Sequence, residues 1–307
     1  MSLQSHIQKT FECHLRLEIL EKGNTMQARQ HLLIIDPQND FCDLPQQYLP
    51  QVLNGKTVIP ALPVAGAHAD MQRVARLIET YGDQLSAITV TLDSHHRFDI
   101  AHPSFWRKAD GTEVTPFTQI SVEQFKAGEF VPRLASSTAR VQTYLETLES
   151  AGRYRLMIWP VHCEIGSWGH NVHADVRAAY NRWEDQHHAV VEMVYKGSNP
   201  WTEHYSAMMA EVPDDQDPDT QLNQDLLNRL NSADRVFICG EASSHCVRAS
   251  TEHIVAHWPK DRLSQLVLLT DCMSAVAGFE QAGQEFVEDM RRQGLSIMKS
   301  TELVNAN

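Results

Sequence analysis

Short, uninterrupted apolar runs that each stop at a chemically reactive residue constrain this chain more than any other feature. Leu32-Leu33-Ile34-Ile35 stops at Asp36, and Ala87-Ile88-Thr89-Val90-Thr91-Leu92 stops at Asp93. The run from Val190 to Tyr195 stops at Lys196, while Val236-Phe237-Ile238-Cys239 leads through Gly240 to Cys246. Runs at 266–269 and 295–298 complete the series. A strand with one wet face alternates apolar and polar residues, whereas a continuous β-branched run is a strand covered on both faces. Helical patterns lie between the runs, at 65–81 (Met71, Val74, Ala75, Leu77, Ile78), at 222–230, and after Cys246 (Val247, Ala249, Ile254, Val255, Trp258). The expected fold is α/β, a three-layer αβα sandwich on a mostly parallel central sheet with Rossmann-like winding.

Residues 11–19 alternate strictly, which predicts a half-buried strand followed by a turn at Lys22-Gly23-Asn24. We expect residues 1–29 to form an N-terminal extension, with Met26 as a candidate native start. Residues 30–307 are expected to form one domain with an insertion at about 103–153, read as a lid or a subunit contact, so that a homo-oligomer stays open. The stretch 213–219 is acidic and punctuated by Pro213 and Pro218, hence a solvated loop. A formal charge of −13 repels phosphate backbones and anionic headgroups, which argues against nucleic acid and membrane partners. No apolar stretch approaches the ~20 residues of a membrane span. Six cysteines without C-x-x-C spacing, behind an N-terminus lacking a secretory pattern, predict a reduced, cytoplasmic chain.

In an open parallel sheet, ligands bind beyond the carboxyl ends of the strands, where Asp36, Asp93, Lys196 and Cys246 fall. Cys246 is the candidate nucleophile. It opens a helical pattern, and the helix dipole with a nearby Lys196 is expected to lower its pKa into the ~3.5–7.5 range of activated thiols. Asp36 can accept the thiol proton and return it to a leaving group. Cys239 and Cys272 read as small buried hydrophobes. A second group is Asp93-x-His95 with His162 and, less certainly placed, His102. One carboxylate with two or three imidazoles suits a divalent transition ion: zinc, iron or manganese. His14, His68, His187, His188, His253 and His257 are read as unliganded, and His96 is left out because adjacent residues rarely both face one ion.

Together these residues resemble the nicotinamidase branch of the isochorismatase-like cysteine hydrolases. The matching pieces are Asp36-Pro37-Gln38-Asn39-Asp40-Phe41, Asp93-Ser94-His95, His102-Pro103-Ser104-Phe105, Trp159-Pro160-Val161-His162-Cys163, Tyr195-Lys196-Gly197, Tyr205-Ser206-Ala207 and Gly240-Glu241-Ala242-Ser243-Ser244-His245-Cys246-Val247. They occur in family order from about Leu32 to Met298. The resemblance implies an isochorismatase-like hydrolase fold and a catalytic triad of Asp36, Lys196 and Cys246. It implies an oxyanion hole from the Ala242 and Cys246 amides, with a cis peptide joining Glu241 to Ala242. It further implies one metal ion, zinc by preference, on Asp93, His95, His162 and variably His102, and substrate contacts from Phe41, Trp159 and His245. The implied activity is hydrolysis of nicotinamide, or a closely related small carboxamide, to the acid and ammonia through a cysteine thioester, with a place in NAD salvage. Alternatives are a related cysteine hydrolase of another amide or carbamoyl compound, or a catalytically silent metal-binding relative. The chain departs from the pattern at Glu241, where an apolar residue is usual, at Ser243-Ser244, and in the longer stretch between His102 and His162.

Overall fold

The computed structural model describes residues 28–51 and 55–304; the alternating stretch 11–19 and Met26 lie outside the described residues. In chain order the strands and α-helices are β1 (Gln30–Ile35), α1 (Ala67–Tyr81), β2 (Leu85–Asp93), β3 (Trp106–Lys108), β4 (Thr118–Ile120), α2 (Val122–Lys126), β5 (Phe130–Pro132), α3 (Thr138–Ser150) and β6 (Leu156–Ile158). They continue with α4 (Ala174–His187), β7 (Glu192–Lys196), α5 (Gln224–Asn231), β8 (Arg235–Gly240), α6 (Cys246–His257), β9 (Leu266–Leu269), α7 (Glu280–Gln293), β10 (Ser296–Met298) and α8 (Ser300–Val304).

Six strands form one sheet in the order β10-β9-β8-β1-β2-β7, every pairing parallel. Leu32, Leu33, Ile34 and Ile35 of β1 are fully buried, as are Val236 to Cys239 of β8 and the whole of β9. Burial on both faces is what the continuous apolar runs encode. From β1 the chain winds outward through β2 and β7, then returns to the other side of β1 for β8, β9 and β10. The strand order therefore reverses between β1 and β8, where their carboxyl ends open a crevice. The central register aligns Ile35 with Gly240, and at the edge it aligns Asp93 with Lys196. Strand β7 starts at Glu192 rather than at 190: Val190 is 85% exposed, and the Val191 amide is held by Glu184 Oε1 at 2.7 Å.

The insertion expected at about 103–153 carries two antiparallel pairs that the sequence did not mark, β3 with β5 and β4 with β6. Each has only three residues per strand, too few to show a period. With α2 and α3 they enclose a second apolar cluster that includes Phe105, Trp106, Ile120, Phe125, Val141 and Leu145. Its last strand, β6, leads directly into Trp159 and His162, so the insertion helps place two residues of the crevice.

Gly240 shows how closely the crevice floor is built. Its φ is +117°, and a Cβ there would lie 1.9 Å from the Ile35 carbonyl oxygen. Gly240→Ala is expected to destabilise the protein by at least ~3 kcal/mol, combining left-handed strain with overpacking against backbone. Denaturant unfolding of the two proteins measures this directly. Among the described residues, no helix is long and apolar enough to cross a membrane.

Candidate active site and metal centre

The sheet brings Asp36, Lys196 and Cys246 into one buried group. Asp36 follows β1 in a left-handed conformation at φ +46°, a region that aspartate tolerates better than most side chains. Its Oδ1 accepts from Thr91 Oγ1 at 2.6 Å. Lys196 and Asp93 are register partners on adjacent strands, so their side chains leave the same face and meet. The ammonium donates to Asp93 Oδ1 and to the His204 carbonyl, both at 2.9 Å. It also lies 3.0 Å from Asp36 Oδ2 and 3.7 Å from Cys246 Sγ. Cys246 is the first residue of α6, beyond the carboxyl end of β8.

Two carboxylates share one ammonium here, and burial strengthens every charge interaction. Burial opposes the Lys196 charge, yet Asp36 and Asp93 outweigh it and hold the lysine well above its ordinary pKa. Burial, reinforced by Asp93 and only partly offset by Lys196, raises the Asp36 carboxyl. The Cys246 thiol is pushed well above its usual value by burial; Lys196 opposes this, while Asp36 and Asp93 add to it. The expected thiol acidification is thus overturned. The helix N-terminus and the lysine are where the sequence predicts them, but desolvation and two nearby carboxylates keep the resting sulfur protonated. Cys239 and Cys272 are buried, in keeping with their reading as small hydrophobes.

Beside this group, His95, His102 and His162 converge, one nitrogen of each lying within 4.8 Å of the others. Asp93 Oδ2 lies 3.0 Å from His95 Nε2 and 3.4 Å from His162 Nε2. The partners on the far side of each ring assign the tautomers. His162 Nδ1 faces the Pro160 carbonyl at 2.8 Å, His102 Nδ1 faces the His96 carbonyl at 3.2 Å, and His95 Nδ1 faces Asp99 Oδ2 at 3.0 Å. All three partners only accept, so each Nδ1 carries a proton and each Nε2 is free to hold either a proton or a metal ion. His102 Nε2 also lies 3.3 Å from His162 Nδ1. Three buried imidazoles beside one carboxylate are a donor set that fits a divalent transition ion. Without a cation, burial opposes protonation of His95, but Asp93 and Asp99 outweigh it and hold its pKa well above normal. Burial, then the neighbouring His95 and His162, pushes His102 down to about 2, which leaves a neutral imidazole able to ligate. Of the histidines read as unliganded, His68 is not a bare surface residue: its Nδ1 pairs with His173 Nε2 at 2.9 Å.

A cavity opens between the two groups, with Asp93, His162, Ala242 and Cys246 in its wall. Phe41, Trp159 and His245 also line it. Trp159 donates to the Tyr205 hydroxyl at 3.0 Å and stands edge-on to His245, with ring centroids 5.2 Å apart. Burial brings His245 down to about 4, so it is neutral near pH 7. The Glu241–Ala242 peptide is cis. Neither the Ala242 nor the Cys246 amide donates to an acceptor among the described residues.

Sequence reasoning missed several members. Leu62, Glu203 and Val276 also line the cavity, together with Tyr205 of the quoted Tyr205-Ser206-Ala207 piece. Glu203 is the most consequential: it is 3% exposed and its Oε2 has no hydrogen-bond partner among the described residues. No periodicity marks it. Asp99, which orients His95, stands four residues after it in the chain, a spacing that could have flagged it.

No protein-family model matches the chain, and no curated protein matches it by sequence. Solved structures do match. The nicotinamidase/pyrazinamidase of Acinetobacter baumanii aligns with TM-score 0.57 at 18% identity, covering 91% of this chain and 100% of that one. The yeast nicotinamidase bound to the inhibitor nicotinaldehyde aligns with TM-score 0.56 at 17% identity, covering 88% and 99%. A protein of L. infantum in complex with nicotinate aligns with TM-score 0.52 at 20% identity, covering 90% and 94%. The chain thus has the α/β fold of these proteins, with its six-stranded parallel sheet flanked by helices.

Proposed function

We propose that this protein is a cysteine amidohydrolase that converts nicotinamide, or a closely related small carboxamide, to the acid and ammonia. The observation that carries the reading is a buried cluster of thiol, carboxyl and ammonium whose sulfur reaches a cavity that Ala242 and two members of a metal-type donor set, Asp93 and His162, also line. The fold shared with nicotinamidases supports it.

In this mechanism the substrate carbonyl lies between Cys246 Sγ and the amides of Ala242 and Cys246. Asp36 takes the thiol proton as sulfur bonds to the carbonyl carbon, and the two amides stabilise the oxyanion that forms. The raised pKa of Asp36 suits it to hold that proton, and Lys196 offsets the charge that remains. When the C–N bond breaks, Asp36 gives its proton to the departing nitrogen, so ammonia leaves and a thioester remains. Water then gives a proton to Asp36 and attacks the thioester carbon. Collapse of the second tetrahedral species expels the sulfur, which recovers the proton from Asp36. Phe41, Trp159 and neutral His245 supply flat apolar walls for a ring. Asp93, His95, His162 and His102 would hold the ion, which when bound supplies a Lewis-acidic anchor for a ring nitrogen.

Ammonia release from nicotinamide and a small carboxamide panel, with and without chelator, tests the proposal. Release from nicotinamide that falls at least ~10-fold on chelation, and returns with zinc, iron or manganese, is the expected result. No release from any pyridine carboxamide would sink the nicotinamide reading. Release that ignores chelation would instead favour a hydrolase of another amide, without a metal anchor.

A further inference from the structure

The residue just before Ala242 is a carboxylic acid sealed behind the cavity. Glu241 is fully buried, and its Oε2 accepts from the Ser274 amide at 3.2 Å. Its Oε1 is buried without a hydrogen-bond partner among the described residues. The other buried acid here is Asp70 of α1, 2% exposed, whose Oδ2 accepts from Ser274 Oγ and whose Oδ1 pairs with Arg73, both at 2.5 Å. Arg73 also donates to the Asp271 carbonyl. Ser274 thus links both acids, Glu241 through its amide and Asp70 through its hydroxyl.

The Ser274 contact belongs to a longer seam. Gly240 N–H donates to the Cys272 carbonyl at 2.9 Å, Ser243 N–H to the Ser274 carbonyl at 2.8 Å, and Val276 N–H to Ser244 Oγ at 3.1 Å. Residues 240–244 are therefore fastened to 272–276 at every step but one. That one is Ala242, whose amide is unengaged and whose neighbours on both sides are tied down. Within the seam Ser274 reaches α1, through its hydroxyl on Asp70, and Glu241 is tied to Ser274 through the amide of that residue.

We propose that Glu241 is a positioning residue, which fixes the Ala242 amide relative to the Cys246 sulfur by bracing the 240–244 loop against Ser274, itself held on α1 by Asp70. The inference rests on the cysteine hydrolase reading. Burial and the nearby Asp70 push the Glu241 carboxyl well above its ordinary pKa. Its Oε2 serves the Ser274 amide. A glutamine can present the same acceptor; a leucine of similar size leaves that buried amide without its partner.

The test compares Glu241→Gln and Glu241→Leu with the parental protein, and Glu241→Met replaces the leucine variant should that fail to fold. Turnover of the best carboxamide gives kcat and KM. A pyridine aldehyde serves as an activity-independent probe: the Cys246 sulfur bonds to the aldehyde carbon and the thiol proton passes to the new hydroxyl, which lies where the oxyanion would. Its affinity is read as protection of Cys246 from alkylation, scored by mass. The glutamine variant should stay within ~3-fold of the parent throughout, and the apolar variant should lose ~10–100-fold in kcat and in aldehyde affinity with KM little changed, part of the cost of a lost oxyanion donor. An apolar variant with parental kcat and aldehyde affinity overturns the inference, as does a glutamine variant equally impaired. Failure of the hydrolase reading is seen separately, as a parental protein whose thiol the aldehyde does not protect; that outcome overturns both.

Discussion

Cys246→Ala is expected to lower turnover by a factor on the order of 10⁴ or more while leaving bound metal, fold and stability nearly unchanged. The sulfur is the group that bonds to the carbonyl carbon and leaves again in the proposed mechanism. Its removal spares the His95, His102 and His162 cluster, whose orienting contacts run to Asp99 and to the carbonyls of His96 and Pro160 rather than to the thiol. The same assignment predicts slow alkylation. Burial and two carboxylates raise the Cys246 thiol, so free iodoacetamide at pH 7 should label it more slowly than an exposed cysteine and faster as pH rises. Metal analysis beside the ammonia assay checks the first expectation. A variant that still hydrolysed amide at near parental rate would show that the nucleophile is elsewhere, and rapid labelling at neutral pH would refute the protonated resting thiol.

The parts of this molecule legible in the sequence are those whose physics is local. A continuous apolar run such as 32–35 declares a doubly covered strand without reference to anything distant, and it places Asp36 at a carboxyl end. Four such ends, Asp36, Asp93, Lys196 and Gly240, become neighbours once the strands are parallel and the order reverses beside β1. That is why the convergence of Asp36, Lys196 and Cys246 could be anticipated. Other features are products of assembly. The state of Cys246 depends on charges gathered from β1, β2 and β7 and on exclusion of water, and the helix terminus visible in the sequence argued the opposite. Glu203 becomes notable only when the loop after β7 folds over the cavity and leaves Oε2 unpartnered. The four short strands of 106–158 are defined by partners across the insertion, and three residues carry no period of their own. Glu241 was legible as a departure from the family pattern, but its contact with the Ser274 amide, 33 positions later in the chain, was not.

Lys196→Met is expected to destabilise the protein by ~3–5 kcal/mol at neutral pH, because it leaves two buried carboxylates without their shared cation. Methionine matches the length of the lysine stem and keeps the packing, so the loss reports on charge more than on volume. The ammonium now donates to Asp93 and lies 3.0 Å from Asp36. Without it, burial and repulsion by Asp93 raise the Asp36 carboxyl further above its unfolded value, while Asp93 keeps His95 as a counter-charge. A group whose folded pKa is raised binds its proton more tightly in the folded state, so stability rises as pH falls. The deficit of the variant should therefore be largest at and above neutral pH and shrink toward pH ~4, where the unfolded carboxyls also protonate. In the parent the sign at Asp93 is opposite. Burial works to raise its pKa, but His95 and Lys196 outweigh that and hold it well below normal, so its contribution is lost only as pH falls through that depressed value. Urea unfolding of both proteins in chelator between pH 4 and 8 measures the two curves, the chelator ensuring that no cation substitutes for the lysine at Asp93. Turnover in the metal-loaded variant should fall at least ~10³-fold, since neither Asp36 nor the departing thiolate keeps its counter-charge. Parallel stability curves across that range would show that the ammonium does not hold these carboxylates together, and the electrostatic account of the site would fail with it.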